Sequence, residues 1–115
     1  MKLAASTTMY SGPPARPLPA DISAAIGAAL GRLPEVREAH LPQVYAPGKI
    51  DPPAQVLVIV LDDGAPSLAP RVGQILREIL PSNAHMDVME WTAKNAALPT
   101  VRNSGCALDL KRTSN

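Results

Sequence analysis

The apolar positions of this chain fall into three kinds of pattern. The first is the run Val56-Leu57-Val58-Ile59-Val60-Leu61, broken at once by Asp62-Asp63-Gly64. An unbroken, largely β-branched run of this length is the mark of a central strand covered on both faces. The second is helical spacing. Leu68, Val72, Ile75, Leu76, Ile79 and Leu80 make one stripe of an amphipathic helix, with Ser67 as the expected cap and Pro70 in the first turn, where its missing donor costs little. Ile22, Ile26, Ala29, Leu30 and Leu33 make another, predicting a helix from Ile22 to Arg32 capped by Asp21 and ended by Pro34. Gly27 and Gly31 weaken that helix by roughly 1 kcal/mol each relative to Ala. Their spacing predicts that it packs closely on a sheet.

The third pattern is alternation. Val36–Tyr45 reads as a strand with Ala39 and Leu41 on one face and Arg37, Glu38 and His40 suggesting a wet side. Pro42 has no N–H to give, which predicts an edge strand or a bulge. Residues 46–53, around Gly48-Lys49, read as a loop. The short connection predicts that Val56–Leu61 runs antiparallel to the first strand. His85–Trp91 alternates loosely and predicts a third strand. Ala96–Val101 suggests a short helical turn and Gly105–Leu110 a last short strand. The predicted fold is α+β, with order α-β-β-α-β: a small, mostly antiparallel sheet of three to four strands with two helices on one face. Residues 1–19 read as a flexible Pro-rich arm, 20–110 as a single domain and 111–115 as a polar tail. A lone Pro-x-x-Pro, Pro14 to Pro17, is too common in such sequence to mark a ligand.

Composition narrows the functional classes. The 115 residues include no Phe, one Trp and two Tyr, so the core is aliphatic and base-stacking platforms are nearly absent. A net charge of +1 supplies no field for nucleic acid or acidic lipid. The expectation is no nucleic acid and no membrane as partners. The single cysteine, Cys106, excludes an internal disulfide. With no signal-peptide pattern at Met1–Ser6, a cytoplasmic location is expected.

Candidate chemistry is sparse. Asp62 and Asp63 end the apolar strand, where ligand sites gather in α/β proteins and where two carboxylates can hold a divalent cation. Asp-Asp-Gly is also a common turn, and the turn is the favoured reading. His40 and His85 would bind metal only if their strands brought them together. Cys106 has Arg102 near it in sequence but no histidine to activate it. No phosphate loop, nucleophile elbow or zinc spacing is present, so no catalytic residue, cofactor or metal is expected. Met86, Met89 and Trp91 on the last strand, if exposed, would make an adaptable apolar patch for a protein partner. His40 and Tyr45 on the first strand complete the candidate binding residues.

Leu33-Pro34-Glu35-Val36-Arg37-Glu38-Ala39-His40-Leu41, then the buried strand ending Asp62-Asp63-Gly64, the amphipathic helix and Met86-Asp87-Val88-Met89 form an ordered set. From about Leu18 to Leu110 the chain resembles the C-terminal domain of the bacterial enhanced-serine-sensitivity (SseB) family. The resemblance implies an α+β domain with no known reaction, named for a growth phenotype and often preceded by another domain. Similar domains near toxin and immunity genes imply a protein-binding role. The leading expectation is therefore a non-enzymatic protein-binding or regulatory module. One alternative is a ligand or metal site built from Asp62, Asp63, His40 and His85. Another is a homo-oligomer joined through the edge strand Val36–Tyr45.

Overall fold

The structure, a computed structural model, describes residues 10–12, 18–46, 50–82 and 86–110. Among them are β1 (Tyr10–Gly12), α1 (Ala20–Gly31), β2 (Val36–His40), β3 (Gln43–Ala46), β4 (Ile50–Gln55), β5 (Leu57–Leu61), α2 (Ala69–Ile79), β6 (Val88–Thr92) and α3 (Leu98–Asn103). The fold is α+β. The strands make two three-stranded sheets rather than one, in the orders β1-β3-β4 and β2-β5-β6.

One long hairpin links the sheets. The pairing of Glu38 with Val60, Ala39 with Ile59 and His40 with Val58 continues, in the same register, as Gln43 with Gln55 and Val44 with Ala54. Between these stretches, at Leu41-Pro42 and Val56, the regular ladder is interrupted and the chain passes from one sheet into the other. The Val56 N–H still donates to the Pro42 carbonyl at 3.0 Å. The Gln55 side chain donates to the Leu41 carbonyl at 3.2 Å, so the interruption is bridged. The expected loop at 46–53 is therefore shorter, because Ile50–Gln55 forms β4; Pro47, Gly48 and Lys49 lie outside the described residues.

The expected edge is found in part: within Val36–Tyr45, β2 ends the order of its sheet, whereas β3 lies between β1 and β4. The segment is covered along part of its length. Its far side pairs with β1 at Gln43–Tyr45. It also pairs with the C-terminal segment, where Leu41 N–H donates to Cys106 O at 3.0 Å and Leu108 N–H to Ala39 O at 2.8 Å. Pro42 accepts from Val56 N–H but has no N–H to return, which interrupts the ladder at the junction between the sheets. Tyr10–Gly12, within the predicted arm, forms β1; three residues carry too little alternation to announce a strand.

The expected third strand forms as β6, within a mostly antiparallel set of pairings. β6 runs parallel to β5, with Leu57 opposite Val88 and Leu61 opposite Thr92. The reason is α2, the crossover that returns the chain to the start of the sheet. All five β5 residues are buried, as the apolar run predicts. Leu57, Ile59 and Leu61 meet Ile26, Leu30 and Leu33 from the α1 region and Val72 and Leu76 of α2 in the main core. Val58 turns the other way, into a smaller cluster with Val44 and Val56.

The Asp21 cap does not form, and Ser67 contributes only a long bond, its Oγ accepting from Ala69 N–H at 3.4 Å. α1 starts after Pro19, whose carbonyl accepts from Ile22 and Ser23 N–H, both at 3.0 Å, and Asp21 lies in the first turn without a side-chain cap bond. α2 is capped from another strand: the Glu90 carboxylate of β6 accepts from Leu68 N–H at 2.5 Å, Ala69 N–H at 3.0 Å and the Ser67 hydroxyl at 2.8 Å. A carboxylate at this end also favours the helix dipole.

Gly27 and Gly31 do mark a close approach, but to the C-terminal segment and not to a sheet. A Cβ on Gly27 would overlap the Asp109 carbonyl oxygen, and one on Gly31 that of Leu110. Gly73 of α2, by contrast, has open space around it. Three urea unfolding curves check this. Gly27→Ala and Gly31→Ala should each lose about 1–2 kcal/mol, because overpacking against backbone outweighs helix propensity. Gly73→Ala should gain up to about 1 kcal/mol from propensity alone.

Candidate functional site

The residues expected to bind a partner are only partly brought together. The pairings of the β2-β5-β6 sheet set His40, Val58 and Met89 in one row and Glu38, Val60 and Trp91 in the next, on one face. Met89 and Trp91 are half-buried and pack against Val44, Val56 and Val58. Met86 packs against the main core, on the opposite face of the sheet. Tyr45 lies in β3 beside the buried Val44 and joins neither cluster. The expected patch thus reduces to Met89 and Trp91 on β6.

β6 occupies one edge of its sheet. It pairs with β5 on one side, and among the described residues no strand pairs with its other side. The remaining edges are poorer templates. The end of β2 is covered by the C-terminal segment, where Leu108 N–H donates to Ala39 O at 2.8 Å. β4 carries Pro52 and Pro53, which have no N–H, and its ladder is irregular there. β1 is three residues long.

The carboxylate pair at the end of β5 is occupied by its neighbours. Asp62 accepts two bonds from the Arg37 guanidinium, at 3.0 Å from Nε and 2.9 Å from the second nitrogen. Asp63 lies 2.6 Å from Lys94 Nζ. Hydrogen bonding to these cations holds both carboxyls below the usual range. Ala65 N–H donates to Asp62 O at 3.1 Å and Gly64 has φ +81°, the geometry of a turn. The four side chains border a shallow depression of about 220 Å³ at the carboxyl ends of β5 and β6, but each charge there is already matched.

His40 does not join them. Its cross-strand partner is Val58, four residues before Asp62 and so about 13 Å along the strand. His85 lies outside the described residues. Among the described residues no three His, Cys, Asp or Glu side chains gather to hold a metal ion.

His40 instead is the buried end of a polar chain that runs out to the surface and that the sequence did not reveal. It is 3 % exposed, and its Nε2 lies 3.0 Å from Glu38 Oε1. The Arg102 guanidinium of α3 clasps the same carboxylate through both oxygens. These bonds, Arg102 first, lower the Glu38 pKa from 4.5 to about 2 against the opposing effect of burial. Ionised Glu38 only accepts, so His40 Nε2 is the donor of this bond. Nδ1 is buried without a hydrogen-bond partner among the described residues. Glu38 and Arg102 are 64 residues apart, and no sequence pattern joins them.

Cys106 sits beside this chain but not in it. Its sulfur lies 2.8 Å from Ser104 Oγ and 3.7 Å from the Val101 carbonyl. Arg102, the expected activating cation, is turned away to Glu38. The cavity at Cys106, about 210 Å³, is lined by Leu18, Leu41, Leu108 and Gln55. The Gln55 amide is spent on Leu41.

With this geometry in hand, comparison with protein-family models, curated proteins and solved structures finds no match.

Glu38 generates a pH prediction. Its folded pKa lies below its ordinary value, so its contribution is complete above about pH 4.5 and fades as pH falls toward 2. Urea midpoints measured across that window should fall more steeply for the wild type than for Glu38→Gln. At neutral pH Glu38→Gln should be the less stable protein. Equal slopes would show that Arg102 does not hold this carboxylate.

Proposed function

We propose that this chain is a non-catalytic protein-binding module that receives its partner on the outer edge of β6, beside Trp91 and Met89. The observation that carries this is the state of β6: a regular five-residue strand, paired on one side, with every residue half-buried. An unpaired strand edge offers main-chain donors and acceptors, and flanking side chains give selectivity. Trp91 is a strong candidate anchor because it joins a large apolar surface to partial exposure. The charged side chains at the end of β5 support no competing chemistry, since they neutralise one another.

A regulatory or immunity-type role in the bacterial cytoplasm is the finer form of this reading. It rests on the resemblance to the enhanced-serine-sensitivity domain and on the absence of any helix, among the described residues, long and apolar enough to cross a membrane.

Trp91 is the only tryptophan, so its fluorescence reports the edge directly. Titration of a captured partner should shift the emission to shorter wavelength as water leaves the ring. Trp91→Ala should weaken that partner by about thirtyfold, the effect of losing an aromatic anchor. Asp63→Ala, at the charged end, should leave it unchanged. Binding that survives Trp91→Ala and fails with Asp63→Ala would move the site away from β6.

A further inference from the structure

The outer edge of β6 is complementary to itself. Leu57 N–H donates to Asp87 O at 2.9 Å, which sets the phase of the parallel ladder. Met89 and Trp91 then turn their N–H and C=O groups toward β5, and Val88, Glu90 and Thr92 turn theirs outward. These three positions are symmetric about Glu90. A second β6 laid antiparallel about a two-fold axis at Glu90 would place Val88 opposite Thr92 and Glu90 opposite Glu90, each an outward-bonding pair. Every outward donor between Val88 and Thr92 would meet an acceptor.

The side chains agree with this register. Met89 of one copy falls opposite Trp91 of the other, in the closer, non-hydrogen-bonded pairs of such a ladder. Both lie on the same face, and thioether against indole is a favourable contact. The single charge within the strand, Glu90, would oppose its own copy, but its carboxylate is turned back onto Ser67, Leu68 and Ala69 at the start of α2. The flanks are complementary in charge. Asp87 precedes the strand and the 81 % exposed Lys94 side chain follows it, so the two-fold brings the acidic end of one copy to the basic end of the other, twice. Lys94 would exchange or share its exposed Asp63 partner. Natural edges are commonly guarded by proline or inward charge. β4 has its prolines, whereas Val88–Thr92 has none.

We infer that the partner of β6 is a second copy of this chain, paired antiparallel about Glu90 to join two three-stranded sheets into one of six strands. This rests on the reading of β6 as a protein-binding edge and names its occupant. The contact is isologous, so it closes as a dimer and does not propagate.

Cysteine cross-linking reads the register. In a Cys106→Ser background, Met89→Cys and Trp91→Cys proteins should form disulfide dimers when mixed and few when oxidised separately. Equal cross-linking of each alone would overturn the register. Light scattering across a concentration series tests the dimer itself. The wild type should pass from monomer to dimer; Met89→Lys/Trp91→Lys should weaken dimerisation at least about tenfold by setting like charges opposite. Met89→Lys/Trp91→Glu should recover it, because each lysine then faces a glutamate. That recovery also shows that a doubly charged β6 still folds. A wild type that stays monomeric at every concentration would overturn the dimer. If Trp91→Ala then still abolished capture of a different protein, β6 would remain a binding edge with another occupant; if it did not, both readings would fall.

Discussion

The constraint on which the rest depends is the single register of the long hairpin, kept from Glu38–Val60 to Val44–Ala54 across the interruption at Leu41-Pro42 and Val56. Side chains alternate across a strand, so a slip of one residue would send every core group to the other face. Here both faces are in use. Leu57, Ile59 and Leu61 fill the core under α1 and α2, while Val56 and Val58 fill the one shared with Val44, Met89 and Trp91. Each fully buried aliphatic contributes roughly 1.5–3 kcal/mol, so no slipped register leaves the packing intact. The bonds across this interruption let one hairpin serve two sheets.

That closure decides where function can sit. The strand most suspect as an open edge, Val36–Tyr45, is paired on both sides over part of its length. The C-terminal segment covers β2, and its backbone lies so close to α1 that only glycines fit at positions 27 and 31. The carboxyl ends of β5 and β6 are tied up in ion pairs between exposed groups, which organise the turn and contribute little to stability. What remains is β6, with a regular ladder on one side and the only tryptophan beside it. Glu90 links this edge to the fold, because the same carboxylate that would guard the edge caps α2 instead.

Much of this was legible in the residues. Six apolar positions in a row gave β5 its place, since only a strand covered on both faces tolerates them. The 68–80 stripe located α2, and the short connection gave the antiparallel pairing of β2 with β5. Other features were hidden for physical reasons. Whether Pro42 marks an edge or a junction depends on what lies across from it, which is a tertiary fact. Asp21 was the obvious local cap for α1, where the Pro19 carbonyl accepts instead; Ser67 accepts a long bond from Ala69 N–H, but the distant Glu90 provides the shorter ones. The clasp of Glu38 by Arg102 joins residues far apart in sequence and has no local signature. Of the candidate binding residues, Met89 and Trp91 share a face with His40, but His40 faces Glu38 and Met86 lies on the other side. Alternation in a loose pattern could not separate Met86 from Met89.

Residue-resolved amide hydrogen exchange in dilute protein tests the central claim most directly, that the C-terminal segment covers the hairpin at Ala39–Leu41 while β6, among the described residues, is open on one side. The account predicts strong protection at Leu41, Val56 and Leu108, whose N–H groups bond across the hairpin or between it and the C-terminal segment. It predicts fast exchange at Val88, Glu90 and Thr92, alternating with protected Met89 and Trp91. Fast exchange at Leu41 and Leu108, or uniform protection along β6 in the dilute monomer, would contradict it.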